Sequence, residues 1–256
     1  KYHFKTDQGI KNFLAAEAQA LSATDKDYAT RDLFENIEKG NFPSWSLKMQ
    51  IMPERDADKY RYDVLDITKT WSQHDYPLIP VGNMVLNRNQ QNYHAEVEQV
   101  AFSPGNLVPG IEPSNDKMLL GRIFSYPDTQ RHRLGGNFEM IPVNCPYKAR
   151  VSYNHRDGPM QVQNQGSGLN YEPNSLGGPV EVPEYRASPY AVSGNVGRYA
   201  HVHPNDDYEQ ARILYAKVMT ETDREHLTEN IAGALGPCRR DIQEKMLVHF
   251  VKIDAD

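Results

Sequence analysis

The stretch at 160–190, MQVQNQGSGLNYEPNSLGGPVEVPEYRASPY, most restricts what this 256-residue chain can fold into. Its apolar residues recur neither at every second position nor at every third or fourth, so it offers a buried face to neither a sheet nor a helix bundle. Proline, glycine and asparagine at this density also occur in segments that never fold. Against that stand Tyr171, Val180, Tyr185 and Tyr190, side chains that are usually spent on packing. An extended arm wrapped over another surface reconciles the two.

On either side of this arm the periodicity returns, and it differs at the two ends. Residues 1–88 contain strand-like runs at KYHFKT, SWSLKMQIM, RYDVLDITKTW and LIPVGNMVL. In 46–52, Leu47, Met49 and Ile51 alternate with Ser46, Lys48, Gln50 and Met52, a half-buried strand pattern. Val64, Ile67 and Trp71 suggest a further strand. A helical insertion, LSATDKDYATRDLFENIEKG, separates the first two runs and ends at Gly40 and Pro43. Residues 89–204 hold the arm and two expected helices, near 91–101 and 115–133, the second starting beside Ser114 and Asn115 as caps. Residues 205–256 are helical: Ala211, Leu214, Tyr215 and Val218 share one face, Thr220 and Asp223 open a second helix, and Ile242, Met246 and Phe250 recur at intervals of four. The expected class is α+β in three parts: 1–88, 89–204 and 205–256.

Composition narrows the function. A net charge of −6 gives no electrostatic footprint for nucleic acid. Cys145 and Cys238 are too few for a disulfide framework, which favours a reducing, intracellular compartment. No apolar run reaches membrane-spanning length, and no N-x-S/T sequon occurs. The opening KYHFKTDQG reads as the middle of a longer protein.

Most local motifs carry little. GSGLNY at 166–171 lacks the third glycine and the βαβ context of a dinucleotide loop. His201 and His203 have no third ligand at metal-site spacing, and His94 with Glu98 fits a solvated helix face. No nucleophile elbow and no P-loop appear.

The run GRIFSYPDTQRHRLGG at 121–136 is different. On a helix Arg122, Tyr126, Thr129, Gln130 and Arg133 fall on one face, without an aliphatic residue among them. Such a face either meets water or meets something large and anionic.

Residues 122–130, RIFSYPDTQ, closely resemble the proximal haem-ligand signature of the haem catalases. KTDQGIKN, DYPLIPVG, VLNRNQQNY, EVEQVAFSPGNLVPGIEPSNDKML and LTENIAGAL are similar to catalase segments in the same order, so the resemblance covers essentially the whole chain. It implies the second half of an antiparallel β-barrel, then the wrapping region, then a C-terminal helical domain. It implies haem, with Tyr126 as axial iron ligand, and a homotetramer, cytoplasmic or peroxisomal, that disproportionates hydrogen peroxide. Free tyrosine holds its proton to about pH 10, so a nearby cation and donor must stabilise the phenolate. Arg122, one turn earlier, is that donor, and Arg133 suits a haem propionate. Ser125, Thr129 and Gln130 line the same side, with Phe102 and Met118 as apolar haem contacts.

The family's distal histidine and asparagine have no counterpart among the nine histidines, including His155, so no residue here is assigned as catalytic. They are expected in an upstream segment. NADPH is a second implied cofactor, with His3, Lys5, Gln50, Trp71 and Val218 at matching positions and Thr70, Gln73 and Leu214 departing. A non-catalytic module retained for assembly or nucleotide binding is the alternative. The allene oxide synthases share tyrosine ligation, but the colinear match through the helical end favours catalase.

Overall fold

The computed structural model describes residues 1–108, 110–144, 156–162, 164, 166, 168–186, 189, 191–198 and 205–255. Cys145, His155, Tyr190, His201 and His203 lie outside these. In chain order the elements are β1 (Tyr2–Thr6), α1 (Ala15–Thr24), α2 (Tyr28–Glu38), β2 (Ser44–Met49), α3 (Glu54–Ala57), β3 (Ile79–Val85), α4 (Lys117–Leu134), α5 (Glu209–Ile213), α6 (Glu221–Leu235) and α7 (Arg240–Phe250). Single π-helical turns occupy His94–Glu98 and Leu214–Val218. The chain forms two compact units, Lys1–Asn89 with Ala200–Asp256, and Gln90–Tyr199.

The first unit carries an antiparallel sheet in the order β1-β2-β3. Side chains of paired residues share a face, and faces alternate along each strand. Tyr2, Phe4 and Thr6 therefore lie with Met49, Leu47 and Trp45, and with Ile79, Gly82 and Met84. The opposite face carries His3 and Lys5 with Lys48 and Ser46, so the sheet has one apolar and one polar side. A bulge keeps this sorting intact. Leu47 pairs with Gly82 but Lys48 pairs with Pro80, which leaves Val81 as an extra residue in β3. Phe4 is 54 % and Tyr2 63 % exposed, so the apolar side of the sheet is largely uncovered by the described residues.

The helical insertion between β1 and β2 consists of two helices, broken at Asp25–Asp27. Two expectations change. No strand forms at Val64–Trp71. There Asp63 and Asp66 accept hydrogen bonds from the N–H groups of Leu65 (2.9 Å) and Thr68 (2.8 Å), and these side-chain turns outcompete a ladder. The helix expected at 91–101 is only the π turn, opened by Asn92 accepting from Ala95 N–H at 2.9 Å.

In the C-terminal segment, α5 runs into the second π turn. Thr220 caps α6: its hydroxyl accepts from Asp223 N–H (3.2 Å), and the Asp223 carboxylate accepts from Thr220 N–H (3.0 Å). Residues 62–70 are tied to this segment by three contacts. Tyr62 donates to Glu209 (2.6 Å), Gln210 accepts from Thr70 N–H (3.0 Å), and Lys69 pairs with Asp207 (3.0 Å).

Candidate functional site

Helix α4 starts and stops on local chemistry. Asp116 accepts from the N–H groups of Met118 (3.0 Å) and Leu119 (3.3 Å), so the cap is Asp116 and not Ser114 or Asn115. Arg131, His132 and Arg133 sit at the electronegative end, and Gly135, with φ 109°, ends the helix where an L side chain would be strained. Pro127 lies inside and leaves the carbonyl of Ile123 without its helical donor, yet α4 continues to Leu134.

At roughly 100° per residue, Met118, Arg122, Tyr126, Thr129 and Arg133 fall in a narrow stripe with Ser125 at one edge. Arg122 Nη2 donates to Tyr126 Oη at 3.2 Å, and the guanidinium carbon lies 5.3 Å from the centre of the Tyr126 ring. One cation thus supports both the oxygen and the π face. Met118 is 57 % and Phe102 80 % exposed, and Thr129 is exposed. Ser125 Oγ donates to the carbonyl of Arg122 at 3.3 Å.

Gln130 departs from the expected lining role. It is buried, at the other edge of the stripe, and its amide donates to the carbonyl of Phe102 at 3.3 Å. Arg133 shares this inward commitment. It donates to the carbonyls of Glu98 and Val100 (2.6 Å to the latter) and to Gln130 Oε1. Asn144 completes the set, donating to the carbonyl of Gln99 (2.8 Å) and accepting from Ala101 N–H (2.7 Å). Residues 98–102, which beyond Glu98 have no ladder or helix of their own, are therefore pinned by three polar side chains. Ala101 packs with Phe138, Ile141 and Leu134 in the core of this unit, while the adjoining Phe102 points away from burial. Asn144 and Asp116 were not among the sequence candidates; SND before an apolar run was a usable cap signal, whereas nothing local marks Asn144.

In the first unit the structure brings His3, Gln50 and Trp71 into one network. His3 Nε2 and Gln50 Oε1 are 2.8 Å apart, and the buried Gln50 donates to the carbonyl of Tyr76 at 2.6 Å. Trp71 Nε1 is buried without a hydrogen-bond partner among the described residues. Lys5 is exposed on the same sheet face as His3. Val218 is 66 % exposed in its π turn.

An apolar cavity of about 600 Å³ lies among the C-terminal helices, between residues such as Leu227, Ile231, Leu247 and Phe250. Its lining offers little chemistry, so the α4 stripe is the better site. Among the described residues no group of three or more His, Cys, Asp or Glu side chains could hold a metal ion. No described helix is long and apolar enough to cross a membrane.

Known proteins match this chain throughout. The catalase family model matches residues 1–178, and the model for the catalase-related immune-responsive domain matches 201–256. A catalase of Methanosarcina barkeri is 54 % identical over the whole chain, which covers 51 % of that protein. The peroxisomal catalase of Toxoplasma gondii is 53 % identical, with 52 % of its length covered, and the catalase of Glandirana rugosa is 52 % identical, with 48 % covered. A fungal catalase crystal structure superposes with a TM-score of 0.87 at 43 % identity, across 99 % of this chain and 52 % of that one. The chain spans about half the length of the curated relatives it matches. With the mixed sheet-and-helix fold and the RIFSYPDTQ helix both in place, the chain belongs to the catalase family.

Proposed function

We propose that this protein decomposes hydrogen peroxide to water and oxygen, and that residues 1–256 supply the proximal side of its haem site. The observation that carries the reading is the Arg122–Tyr126 pair, 3.2 Å apart on an exposed stripe of α4. The residues fit the group. Tyr126 offers one anionic donor, Arg122 supports its phenolate, and Met118 and Phe102 present apolar surface for a macrocycle edge. Ser125 and Thr129 flank the ligand. Of the five guanidinium N–H bonds of Arg133, four are spent within the chain; one Nη1–H is left among the described residues for a propionate. Gln130 acts beneath this surface, holding Phe102 in place. When bound, the haem supplies redox chemistry at iron, and an anionic tyrosinate ligand favours its ferric and higher states.

The chain's own residues bind, orient and tune; the proton transfer between peroxide oxygens needs an acid–base pair. We assign that pair, a histidine and an asparagine, to the portion of the protein outside residues 1–256, in keeping with relatives about twice as long. The uncovered apolar face of β1-β2-β3 is then the inner wall of half a β-barrel, and the polar face its outside. On that outer face His3, Lys5, Gln50 and Trp71, with Val218 nearby in sequence to α5, form a site for NADPH, supported by the unpartnered Trp71 Nε1. The arm within 137–204 wraps a neighbouring subunit of a homotetramer; its exposed Val162, Leu176, Val180 and Val192 suit that role. Cytoplasm or peroxisome is the proposed location, the latter named for the Toxoplasma relative.

Tyr126→Phe, made in the whole protein, tests this reading. The ring remains while the anionic donor is lost, so the purified variant is expected to lack the Soret band of retained haem. A normal Soret band and full oxygen evolution in that variant would remove Tyr126 from the site.

A further inference from the structure

Four aromatic side chains in the first unit stand in series. The ring centres of Trp71 and Tyr76 are 5.9 Å apart, those of Tyr76 and Tyr60 5.5 Å, and those of Tyr60 and Tyr62 5.9 Å. The tyrosine pairs meet edge to face, with interplanar angles of 64° and 78°. Rings in contact exchange an electron far more readily than rings separated by saturated side chains.

The two ends of the series differ. At Trp71 the Lys1 ammonium lies 4.8 Å from the ring centre, and a positive charge there opposes an indole cation radical. Its N–H has no acceptor among the described residues, so an oxidised Trp71 has nowhere to send a proton. At the other end Tyr62 is 3 % exposed, and its hydroxyl donates to Glu209 Oε2 at 2.6 Å. Burial, then the bond to the Glu209 carboxylate, hold the Tyr62 phenol above the usual tyrosine range, so it does not ionise beforehand. Arg61, 5.2 Å from the Tyr62 ring and 6.0 Å from that of Tyr60, opposes a cation on either ring. A tyrosyl that has surrendered its proton is neutral and escapes that repulsion. Tyr60 also has a carboxylate, Asp75, but at 3.3 Å and in an exposed position. Tyr60 and Tyr76 line an open cleft with Asp56, Lys59, Arg61 and Asp75, where a soluble reagent can approach.

We propose that Tyr76, Tyr60 and Tyr62 form a one-electron relay, closed at its far end by Trp71, that carries oxidising equivalents from one-electron oxidants at this cleft to a shielded radical site on Tyr62. In the net step Tyr62 loses one electron, which passes through Tyr60 and Tyr76 and reduces the oxidant by one unit. The Oη–H bond of Tyr62 breaks as its proton moves to Glu209 Oε2. The products are a neutral Tyr62 radical, a protonated Glu209 and the reduced oxidant.

The test uses the native protein as isolated, oxidised by flash-generated tris(bipyridine)ruthenium(III) and followed by freeze-quench electron paramagnetic resonance. A persistent tyrosyl signal is expected. Tyr62→Phe keeps the ring but removes the oxidisable phenol, so the signal should fall to the level given by the other tyrosines. Glu209→Gln keeps an acceptor for the hydroxyl but cannot take the proton, and the same loss is expected with the thermal midpoint nearly unchanged. If Tyr62–Glu209 is only a tether, Tyr62→Phe lowers stability while the signal stays. An undiminished signal in either variant, or one that disappears only when exposed tyrosines such as Tyr2 or Tyr93 are replaced, overturns the relay.

Discussion

Arg122 touches Tyr126 twice, through the phenol oxygen and over the ring, so its loss should be felt before any chemistry occurs. Arg122→Met keeps much of the stem and removes the charge. Haem retention, read as the rate of transfer to an acceptor apoprotein, is expected to weaken by at least about tenfold, since hydrogen bonds to charged groups are worth roughly 1.5–3 kcal/mol. This pair was legible because positions i and i+4 on a helix are neighbours whatever the rest of the chain does. Gln130 shares the stripe by count, yet it is buried, because the carbonyl it satisfies belongs to Phe102, 28 residues earlier. Asn144 was illegible for the same reason: besides the carbonyl of Phe138, its partners are backbone groups 43 and 45 positions away. Spacing reports which side chains share a face; it does not report which face another segment covers.

Helix α6 shows the strongest agreement between local sequence and local structure, since Thr220 and Asp223 cap it within four residues. Thr220→Ala should cost about 1 kcal/mol, read from the denaturation midpoint of the C-terminal segment. The Thr220 side chain first, then its backbone N–H, hold the Asp223 carboxyl below the usual carboxylate range. A depressed folded value stabilises above the unfolded pKa, so the contribution is lost as pH falls through the folded value, and the variant should lose that acid dependence. The strand expected at Val64–Trp71 failed for an equally local reason. Its apolar spacing was read, but Asp63 and Asp66 supply turn bonds that an apolar count does not weigh.

Across the first unit, Lys69 joins Asp66 to Asp207 and so links parts of the chain about 140 residues apart. Burial alone would lower the Lys69 pKa, but the bonds to Asp207 and Asp66 outweigh it and the net direction is upward. A raised folded value stabilises fully below the ordinary lysine pKa, about 10.4, and that contribution disappears as pH rises through the folded value. Asp66, depressed chiefly by its bond to Thr68, loses its contribution at the acid end instead. Lys69→Met should cost about 1.5–3 kcal/mol at neutral pH and flatten the alkaline limb of the melting-temperature profile. The same unit contains one residue that has no partner in the ladder. Because Val81 is uncounted, odd and even exchange sides within β3, and Ile79 joins Met84 rather than Asn83. Deleting Val81 would leave a regular ladder in which Ile79, Gly82 and Met84 still fall on one side and Pro80 and Asn83 on the other. The sidedness of the sheet is therefore an arithmetic property of the chain: loss of the residue at 81 should preserve it, whereas loss of one residue inside β1 or β2, which have no such spare, should turn part of the strand over.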